Sequence, residues 1–229
     1  MNICIIPARG GSKRIPRKNI KVFFGKPMIA WSIEVARKSG IFSKIIVSTD
    51  DKEIAEISKK YGAEVPFIRP EELSNDFATT AQVMSHACRW IKQKELIAKN
   101  IFCIYPTAPF LTTSDIKKAD EIMLSGKWKY VFSVGEYSSS VYRSFKQNKS
   151  GGVEMLFPEL FKSRSQDLES VYHDAGMFYA GNIDTWIHEE KVFAEYSYPL
   201  TISKWRVQDI DTYEDWKRAE LIAKTLNDL

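Results

Sequence analysis

Short apolar runs alternate along the chain with longer stretches whose apolar positions recur every three or four residues. Apolar runs bounded by polar clusters are typical of buried strands, and the longer spacing is typical of amphipathic helices. The predicted strands are residues 3–6, 44–49, 64–68, 100–105, 131–134, 175–180 and 207–210. The predicted helices are residues 28–39, 52–61, 79–94, 114–124 and 212–226, with a short helix after Gly181. This alternation predicts an α/β fold, with an open, mainly parallel sheet and helices on both faces.

The alternation breaks near Lys129. Residues 138–167 are richer in Ser, Gly and Pro, and two short segments, 142–146 and 153–157, flank the turn-forming residues 148–152. This pattern predicts a β-hairpin. A chain of 229 residues fits one domain with a sizeable insertion. We therefore expect a single domain over residues 1–229, with residues 138–174 as an inserted arm.

A basic, glycine-containing loop follows the first predicted strand. Gly10 and Gly11 allow the backbone to approach a ligand closely, and consecutive amides in such a loop can bind an anion. The P-loop and the dinucleotide-binding glycine pattern are both absent. A solvated basic loop, or one that touches nucleic acid, is the alternative interpretation. The basic residues around the glycines favour a phosphate cradle; they are Arg9, Lys13, Arg14, Arg17 and Lys18.

The net charge of the chain is explained by this loop. Lys and Arg number 33 against 29 Asp and Glu, a formal net charge of +4. The bases between Arg9 and Lys21 exceed this surplus by themselves, so the basicity is local. A local cluster favours an anionic small molecule, because nucleic-acid binding needs basic residues spread along a face.

The three cysteines, Cys4, Cys88 and Cys103, are isolated in the sequence. Their spacing suggests neither a disulfide framework nor a zinc site, so we expect small core residues in a reducing cytoplasm. The N-terminus enters a strand and then a basic loop, so we expect no signal peptide. No apolar run is long enough for a membrane span, and we expect a cytoplasmic protein without membrane contact.

Asp209 and Asp211 form a candidate metal site. In an extended segment, residues two apart point to the same side. Two converging carboxylates suit Mg²⁺, which binds through few carboxylates together with phosphate oxygens and water. Alternatively, Asp211 or Thr212 caps the last predicted helix, which leaves Asp209 unexplained.

Residues after the third predicted strand could also contact a ligand. Arg69 and Thr80 are candidates, although Arg69 could be a surface ion-pair partner and Thr79 is better explained as a helix cap. His173 and Asp174 could form a general base and its orienting acid. Adjacent residues on a strand face opposite sides, which argues against such a catalytic pair.

The residues of the basic loop resemble a known signature. Residues 6–19, IPARGGSKRIPRKN, are similar to the pattern I-P-A-R-x-G-S-K followed by K-N of the CMP-sialic acid synthetase family of cytidylyltransferases. A second block from Arg69 to Asp76 resembles the family's R-P-x-E-L-x-x-D, and Asp209-Ile210-Asp211 resembles a third. Together the blocks span nearly the whole chain.

A fourth block resembles one branch of this family. The run R-S-Q-D-L at 164–168, followed by Y-H-D-A-G at 172–176, is similar to the pseudaminic acid cytidylyltransferase branch. Sialic acid members carry Gln where Tyr105 stands, and the family pattern suggests Asn at Ala175. These departures place the sugar, but not the fold, in question.

The resemblance implies a Rossmann-like nucleotidyltransferase sheet and a small β-rich dimerisation arm. It implies transfer of CMP from CTP to the anomeric hydroxyl of a nonulosonic acid, with pseudaminic acid favoured over legionaminic or sialic acid and Kdo less favoured. The implied catalytic residues are Lys18, Asp209 and Asp211, the two acids holding Mg²⁺. The implied nucleotide-binding residues are Arg9, Gly11, Ser12, Lys13, Asn19, Arg69 and Thr80. The implied sugar-binding residues are Tyr105, Arg164, Gln166, His173 and Ala175.

The expected partners are CTP, a nine-carbon acidic sugar and a second copy of the chain. From a different class, the alternative is a non-catalytic RNA-binding domain. Such a domain predicts a basic stripe with aromatic stacking platforms, and the sequence shows neither, so we expect no nucleic-acid partner.

Overall fold

The computed structural model describes residues 1–227, and side chains as far as residue 226. Its strands are β1 (Asn2–Pro7), β2 (Val22–Phe23), β3 (Lys26–Pro27), β4 (Phe42–Ser48), β5 (Asn100–Ile104), β6 (Tyr130–Glu136), β7 (Phe145–Gln147), β8 (Val153–Met155), β9 (Tyr172–Asn182) and β10 (Ser197–Thr201). Its α-helices are α1 (Met28–Ser39), α2 (Lys52–Lys60), α3 (Thr80–Gln93), α4 (Thr113–Leu124), α5 (Ile183–Ile187) and α6 (Tyr213–Asn227).

The central sheet has the strand order β10-β6-β9-β5-β1-β4. β1 pairs in parallel with both β4 and β5, and β10 pairs in parallel with β6. β9 is antiparallel to β5 and β6. The prediction of a mainly parallel α/β sheet is confirmed, and β9 is its one reversed strand.

Helices cover both faces of this sheet, and successive strand residues supply the two cores. Ile6 and Phe102 point to the face covered by α1, α4 and α6. Ile5 and Ile101 point to the opposite face, against α3 and α5. This follows from the period of two along a strand, and a continuous apolar run is what a doubly covered strand requires.

The three cysteines belong to these cores. Cys4, Cys88 and Cys103 are free thiols and are all buried. Burial raises the pKa of each thiol, because it disfavours the thiolate. These cysteines are therefore packing residues.

Two predicted strands are wrong in detail. Residues 64–68 form only two isolated bridges, Ile46 with Glu64 and Thr49 with Ile68, because Pro66 between them has no amide hydrogen to donate. Residues 207–210 form no strand. The edge position is taken instead by β10, where Pro199 is tolerated because it lies on an edge strand.

The predicted hairpin of the arm is confirmed at its centre. β7 and β8 pair antiparallel. The Asn148 side-chain oxygen closes their turn by accepting from the amides of Ser150 and Gly152, at 3.1 and 2.9 Å. Among residues 1–227, no helix is long and apolar enough to cross a bilayer.

Candidate active site

The loop after β1 is a tight, internally bonded turn. The Gly10 amide donates to Asp50 Oδ1 at 3.0 Å, and the Ser12 amide donates to the Gly10 carbonyl at 3.0 Å. A Cβ atom at Gly10 would lie 2.8 Å from Asp51 Oδ2, whereas Gly11 has open space around it. The close approach of the loop to α2 therefore requires glycine at position 10.

Arg17 anchors the far end of this loop. Its backbone has a left-handed φ of 55°, and its guanidinium donates to Asp51 at 2.5 and 2.9 Å and to Glu53 at 2.5 Å. Asp51 also caps α2 by accepting from the Ile54 amide. The Arg17 side chain holds the pKa of Asp51 below its usual range. Of the basic residues in the loop, Arg17 is thus a structural anchor.

A cleft of about 480 Å³ opens beside this loop, beyond the carboxyl ends of β1 and β5. In open parallel sheets, ligands bind at this position. The cleft brings together nine of the predicted site residues: Arg9, Ser12, Lys13, Lys18, Asn19, Arg69, Thr80, Tyr105 and Asp211.

Acidic side chains contact the cations of the cleft. Asp76 accepts from Arg9 at 2.8 Å and also pairs with Lys13. These two cations hold the pKa of Asp76 below its usual range. Asn19 is buried, and its amide donates to the Arg9 carbonyl at 2.9 Å. A carboxylate of the protein itself, that of Asp76, therefore lies where Arg9 and Lys13 converge.

Lys18 and Arg14 converge on the other side of the cleft. The Lys18 ammonium donates to the Ile210 carbonyl at 2.6 Å and to Asp211 at 3.2 Å. Arg14 pairs with the second oxygen of Asp211 at 2.8 Å. These contacts join the loop after β1 to the segment that precedes α6.

Arg69 is the most buried cation of the site, with 5% of its surface exposed. Its Nε donates to Ser74 at 3.2 Å, and Asp50 lies 3.6 Å from Nη2. Nη2 is buried without a hydrogen-bond partner among residues 1–227, and burial lowers the pKa of the guanidinium. A buried donor without a hydrogen-bond partner is costly, and a contact of Arg69 with a ligand stays a prediction.

Asp209 and Asp211 differ in their surroundings. Asp211 is paired with Lys18 and Arg14, whereas Asp209 makes no ion pair within the described chain. Surrounding protein atoms and the charge of Asp211 raise the pKa of Asp209. Residues 1–227 contain no group of three or more His, Cys, Asp or Glu placed to hold a metal. The donor set fits Mg²⁺ only if phosphate oxygens and water complete its shell, which is its usual mode of binding.

The alternative role of Asp211 as a helix cap is not observed. Thr212 Oγ1 accepts from the Asp215 amide at 3.2 Å, and Asp215 accepts from the Thr212 amide at 2.8 Å. This reciprocal pair is a capping box. Thr79 caps α3 in the same way with Gln82, as predicted.

Four predicted sugar-binding residues do not line the cleft in the single chain. Arg164 pairs with Asp167 on the exposed arm, and Gln166 lines a separate cavity of about 310 Å³ beneath that arm. The His173 ring packs on Tyr137 at 4.9 Å between centroids. Ala175 is buried in the core, so its side chain packs against the sheet. A contact of these residues with a sugar stays a prediction.

Sequence reasoning missed the contact of Asp76 with Arg9 in the cleft and a side-chain contact within β9. Asp76 lies in the second family block, but nothing in the spacing showed that it reaches Arg9. Tyr179 and Asp174 lie on β9, where the Tyr179 hydroxyl hydrogen-bonds the Asp174 carboxylate. A Tyr five residues from an Asp carries no recognisable signal until the strand is seen to bend.

Comparison with known sequences decides the family. The profile of the family described as Cytidylyltransferase matches residues 3–185. The chain belongs to the cytidylyltransferase family. This confirms the predicted family, and the nucleotidyltransferase character of the fold follows from it.

Individual relatives of this cytidylyltransferase are similar over almost its whole length. It is 43% identical over 223 residues, 97% of this chain and 96% of the relative, to the pseudaminic acid cytidylyltransferase of Campylobacter jejuni. It is 33% identical to the CMP-N,N'-diacetyllegionaminic acid synthase of Legionella pneumophila, over 95% of this chain and 94% of the relative. It is 31% identical to the N-acylneuraminate cytidylyltransferase of Escherichia coli, over 98% of this chain and 52% of that protein.

Solved structures agree with the fold of the cytidylyltransferase. CMP:2-keto-3-deoxy-manno-octonic acid synthetase, solved as a complex with CTP, superposes with a TM-score of 0.71 at 15% identity, covering 100% of this chain and 99% of that one. The 4-diphosphocytidyl-2C-methyl-D-erythritol synthase of Anaerococcus prevotii gives a TM-score of 0.64 at 16% identity, covering 97% and 98%. At these identities the likeness concerns the fold alone.

Proposed function

We propose that this cytidylyltransferase transfers CMP from CTP to the anomeric hydroxyl of pseudaminic acid and releases pyrophosphate. The observation that carries the proposal is the convergence of Arg9, Lys13, Lys18 and Arg69 on one cleft. The 43% identity to a pseudaminic acid cytidylyltransferase across nearly the whole of both chains supports the choice of sugar.

The proposed reaction is one displacement at the α-phosphorus of CTP. A bond forms between this phosphorus and the anomeric oxygen of the sugar, the proton of the anomeric hydroxyl passes to water, and the bond to the bridging oxygen of pyrophosphate breaks. Such transfers depend mainly on positioning and on stabilising charge. Arg9 and Lys13 bind the phosphates in place of Asp76, and Lys18 stands beside Asp211 to stabilise the charge that develops.

Mg²⁺ is proposed as the cofactor. Asp209 and Asp211 would hold it, with the remaining positions filled by phosphate oxygens and water. A bound Mg²⁺ supplies charge stabilisation at the phosphate oxygens. Arg14 and Lys18 hold the Asp211 carboxylate in place beside the cleft.

The proposed preference for pseudaminic acid rests on the groups that face the acceptor. Pseudaminic acid has a methyl group at C9 and an amino-derived substituent at C7, where sialic acid has hydroxyls. Tyr105 replaces an amide expected in sialic acid enzymes, and its hydroxyl is already bonded to Thr80 at 2.6 Å. A site that hydrogen-bonds a hydroxyl rejects its absence strongly, whereas an apolar site discriminates weakly against an added one. We therefore expect a residual rate with sialic acid.

Pyrophosphate release with CTP, Mg²⁺ and a panel of nonulosonic acids tests this proposal. We expect kcat/KM for pseudaminic acid to exceed the values for legionaminic, sialic and Kdo substrates. Equal values, or a preference for sialic acid, would contradict the sugar assignment and leave cytidylyl transfer standing. No pyrophosphate release with any acid of the panel would contradict the reaction itself.

A homodimer formed through the arm is also proposed. Phe145 and Val153 on the hairpin are 64% and 69% exposed, and Phe161 nearby is 62% exposed. Clustered exposed apolar residues mark contact surfaces, and the family resemblance assigns the arm to a second copy. Sedimentation analysis of Phe145→Lys should show a monomer. Leu221→Lys is the matched control, because Leu221 is an equally exposed apolar residue on α6, and this variant should remain a dimer. A parent chain that sediments as a monomer would refute the dimer.

A further inference from the structure

The segment of residues 202–212 carries both Asp209 and Asp211 but has little regular structure. It joins β10 to α6. Within the described chain, residues 1–227, the backbone amides of residues 207–209 donate no hydrogen bond to the protein. Ile210 is buried in the core, which anchors the segment at one point. Backbone pairing therefore does not determine where the two acids lie, and side-chain contacts have to hold the segment.

Arg206 makes the most extensive of these side-chain contacts. Its Nη2 donates to Asp115 Oδ1 at 3.0 Å. Its Nη1 donates to the Phe110 carbonyl at 3.2 Å and to the second oxygen of Asp115. The Arg206 and Asp115 side chains are only 22% and 12% exposed. Because a two-pronged pair of this kind fixes orientation as well as distance, Arg206 ties its segment to the start of α4 in a definite geometry.

Asp115, the partner of Arg206, is itself held in place. It forms the capping box of α4 with Thr112, whose amide donates to Asp115 Oδ2 at 3.0 Å. Burial alone would raise the pKa of Asp115, but the hydrogen bonds from Arg206 and Thr112 hold that pKa below its usual range. Arg206 is therefore bonded to a charged group that is fixed on a helix.

The contacts of Arg206 also reach a wall of the cleft. Phe110 lies in the loop after β5, and residues 105–107 of that loop line the cleft together with Asp211. One guanidinium thus joins the loop that forms this wall to the segment that brings Asp211 to the cleft. Lys18 holds the same segment from the loop after β1.

We propose that Arg206 is a positioning residue that determines where Asp209 and Asp211 lie relative to the cleft. Arg206 lies outside the lining of the cleft, so it acts through the backbone of its segment and not on a ligand. The proposal rests on the proposed function only in taking the two acids as the ligands of Mg²⁺. Loss of a group that orients metal ligands weakens metal binding, so loss of Arg206 should affect binding of a divalent cation more than binding of CTP.

Hydrogen exchange and Mn²⁺ binding test this assignment without any sugar. Mn²⁺ is a suitable probe because it favours the same carboxylate and water ligands as Mg²⁺. In Arg206→Gln, peptides that cover residues 203–212 should exchange faster than in the parent. Mn²⁺, followed by paramagnetic resonance in the presence of CTP, should bind about tenfold more weakly, as expected when a group that orients metal ligands is lost. The dissociation constant of CTP without metal should stay within about twofold of the parent value.

Asp115→Asn removes the same contact from the other side. One oxygen remains to accept from the Thr112 amide, so α4 keeps its cap, while the new amide nitrogen meets Arg206 with a donor. The same changes in exchange and in Mn²⁺ affinity are expected. If Arg206→Gln fails to fold, Asp115→Asn carries the test.

Lys26→Gln is the matched control. Lys26 pairs with Glu34 at 2.7 Å, and both side chains are 20% exposed, so this pair is buried to a similar degree as that of Arg206 with Asp115. It joins β3 to α1 and makes no contact with residues 202–212. Neither the exchange of residues 203–212 nor the Mn²⁺ affinity should change in this variant.

The assignment is overturned if residues 203–212 exchange at the parent rate in both Arg206→Gln and Asp115→Asn. It is also overturned if their exchange accelerates while Mn²⁺ affinity stays within about twofold of the parent, because Arg206 would then support the fold without placing the acids. Equal effects in Lys26→Gln would overturn it as well.

These measurements separate the assignment from the proposed function. A parent chain that binds no Mn²⁺ would contradict the proposed metal site, and the exchange comparison alone would then decide whether Arg206 holds the acids in place. A lack of pyrophosphate release with every acidic sugar would contradict the proposed reaction and would leave both measurements unaffected.

Discussion

The Lys18 ammonium donates to the backbone carbonyl of Ile210 at 2.6 Å, and Ile210 lies between the two acidic residues of the site. Together with the ion pairs that Lys18 and Arg14 make with Asp211, this contact ties the loop after β1 to the segment before α6. Any movement of the loop therefore carries with it the position of Asp209 and Asp211. The basic loop and the segment that carries the two acids are thus in direct contact, and the substitutions below probe both segments.

Lys18→Ala should lower kcat by at least about 100-fold, because charge that stabilises a phosphoryl transition state contributes several kcal/mol. The fold should survive, which circular dichroism can check. Lys21→Ala is the matched control, since Lys21 lies in the same region but packs over the rings of Tyr213 and Trp216. If turnover stays within about threefold of the parent, the change in activation free energy is well under 1.4 kcal/mol. Lys18 would then contribute charge to the loop without stabilising the transition state.

Asp211→Asn and Asp209→Asn should each lose Mg²⁺-dependent activity, because an amide is a poorer ligand than a carboxylate for a hard cation. Titration of activity with Mg²⁺ measures the effect. Asn182→Ala is the control: it removes the cap of α5, where Asn182 accepts from the Thr185 amide at 2.8 Å, should cost about 1 kcal/mol of stability and should leave the Mg²⁺ response unchanged. Normal activity of either variant at limiting Mg²⁺ would show that the substituted aspartate is not a metal ligand.

The raised pKa of Asp209 gives a pH dependence with a definite sign. Its proton is held more tightly in the folded chain than in the unfolded one, so ionisation of Asp209 lowers stability once the pH passes the folded pKa. Without Mg²⁺, Asp209→Asn should therefore melt slightly higher than the parent at neutral pH. This difference should vanish below the unfolded pKa, where both states are protonated. A variant that melts lower than the parent at neutral pH contradicts the sign.

The same shift should weaken Mg²⁺ binding as the solution is acidified, because the proton and the cation compete for one carboxylate. The Mg²⁺ concentration for half-maximal activity should rise on the acidic side of neutrality in the parent. A half-saturating concentration that stays constant down to the ordinary pKa of an aspartate would argue against Asp209 as a ligand.

Asp76→Asn should bind CTP more tightly, since Asp76 competes with the phosphates for Arg9 and Lys13. The pairs are solvent-exposed, and such pairs contribute at most about 1 kcal/mol, so the dissociation constant should fall about two- to fivefold. Asp184→Asn, which breaks the exposed pair with Lys92 elsewhere on the surface, controls for net charge. Weaker CTP binding by Asp76→Asn would mean that Asp76 orients the two cations rather than competing for them.

The local signals in the sequence were sufficient for most of the fold. The apolar run 3–6 and the amphipathic helix at 28–39 were placed correctly because period and capping agree over those stretches. β10 was missed because Pro199 and the polar ends of that segment resemble a loop, and only its pairing with β6 makes it a strand. The reversal of β9 is a property of strand order, which local patterning does not contain.

The convergence of the basic residues on one cleft was predictable, and the positions of the predicted sugar-binding residues were not. Arg9, Lys13 and Lys18 lie on one continuous loop, so their convergence follows from the sequence itself. Arg164 and Gln166 lie on an arm whose position is set by tertiary contacts, which no local pattern specifies. The pairing of Thr80 with Tyr105 joins the start of α3 to the loop after β5, and neither segment alone gave a sign of this contact.

The reversal of β9 has a consequence for how the molecule can change. β6 ends and β9 begins side by side, since Glu136 pairs with Tyr172. The chain therefore enters and leaves the arm at adjacent positions on these two neighbouring strands. The entropy of closing such a loop grows only slowly with its length. The segment between β6 and β9 can therefore differ in length or composition without disturbing the register of β1, β4 or β5. Cytidylyltransferases that share this sheet can therefore differ in the arm while the strands that carry the cleft keep their positions.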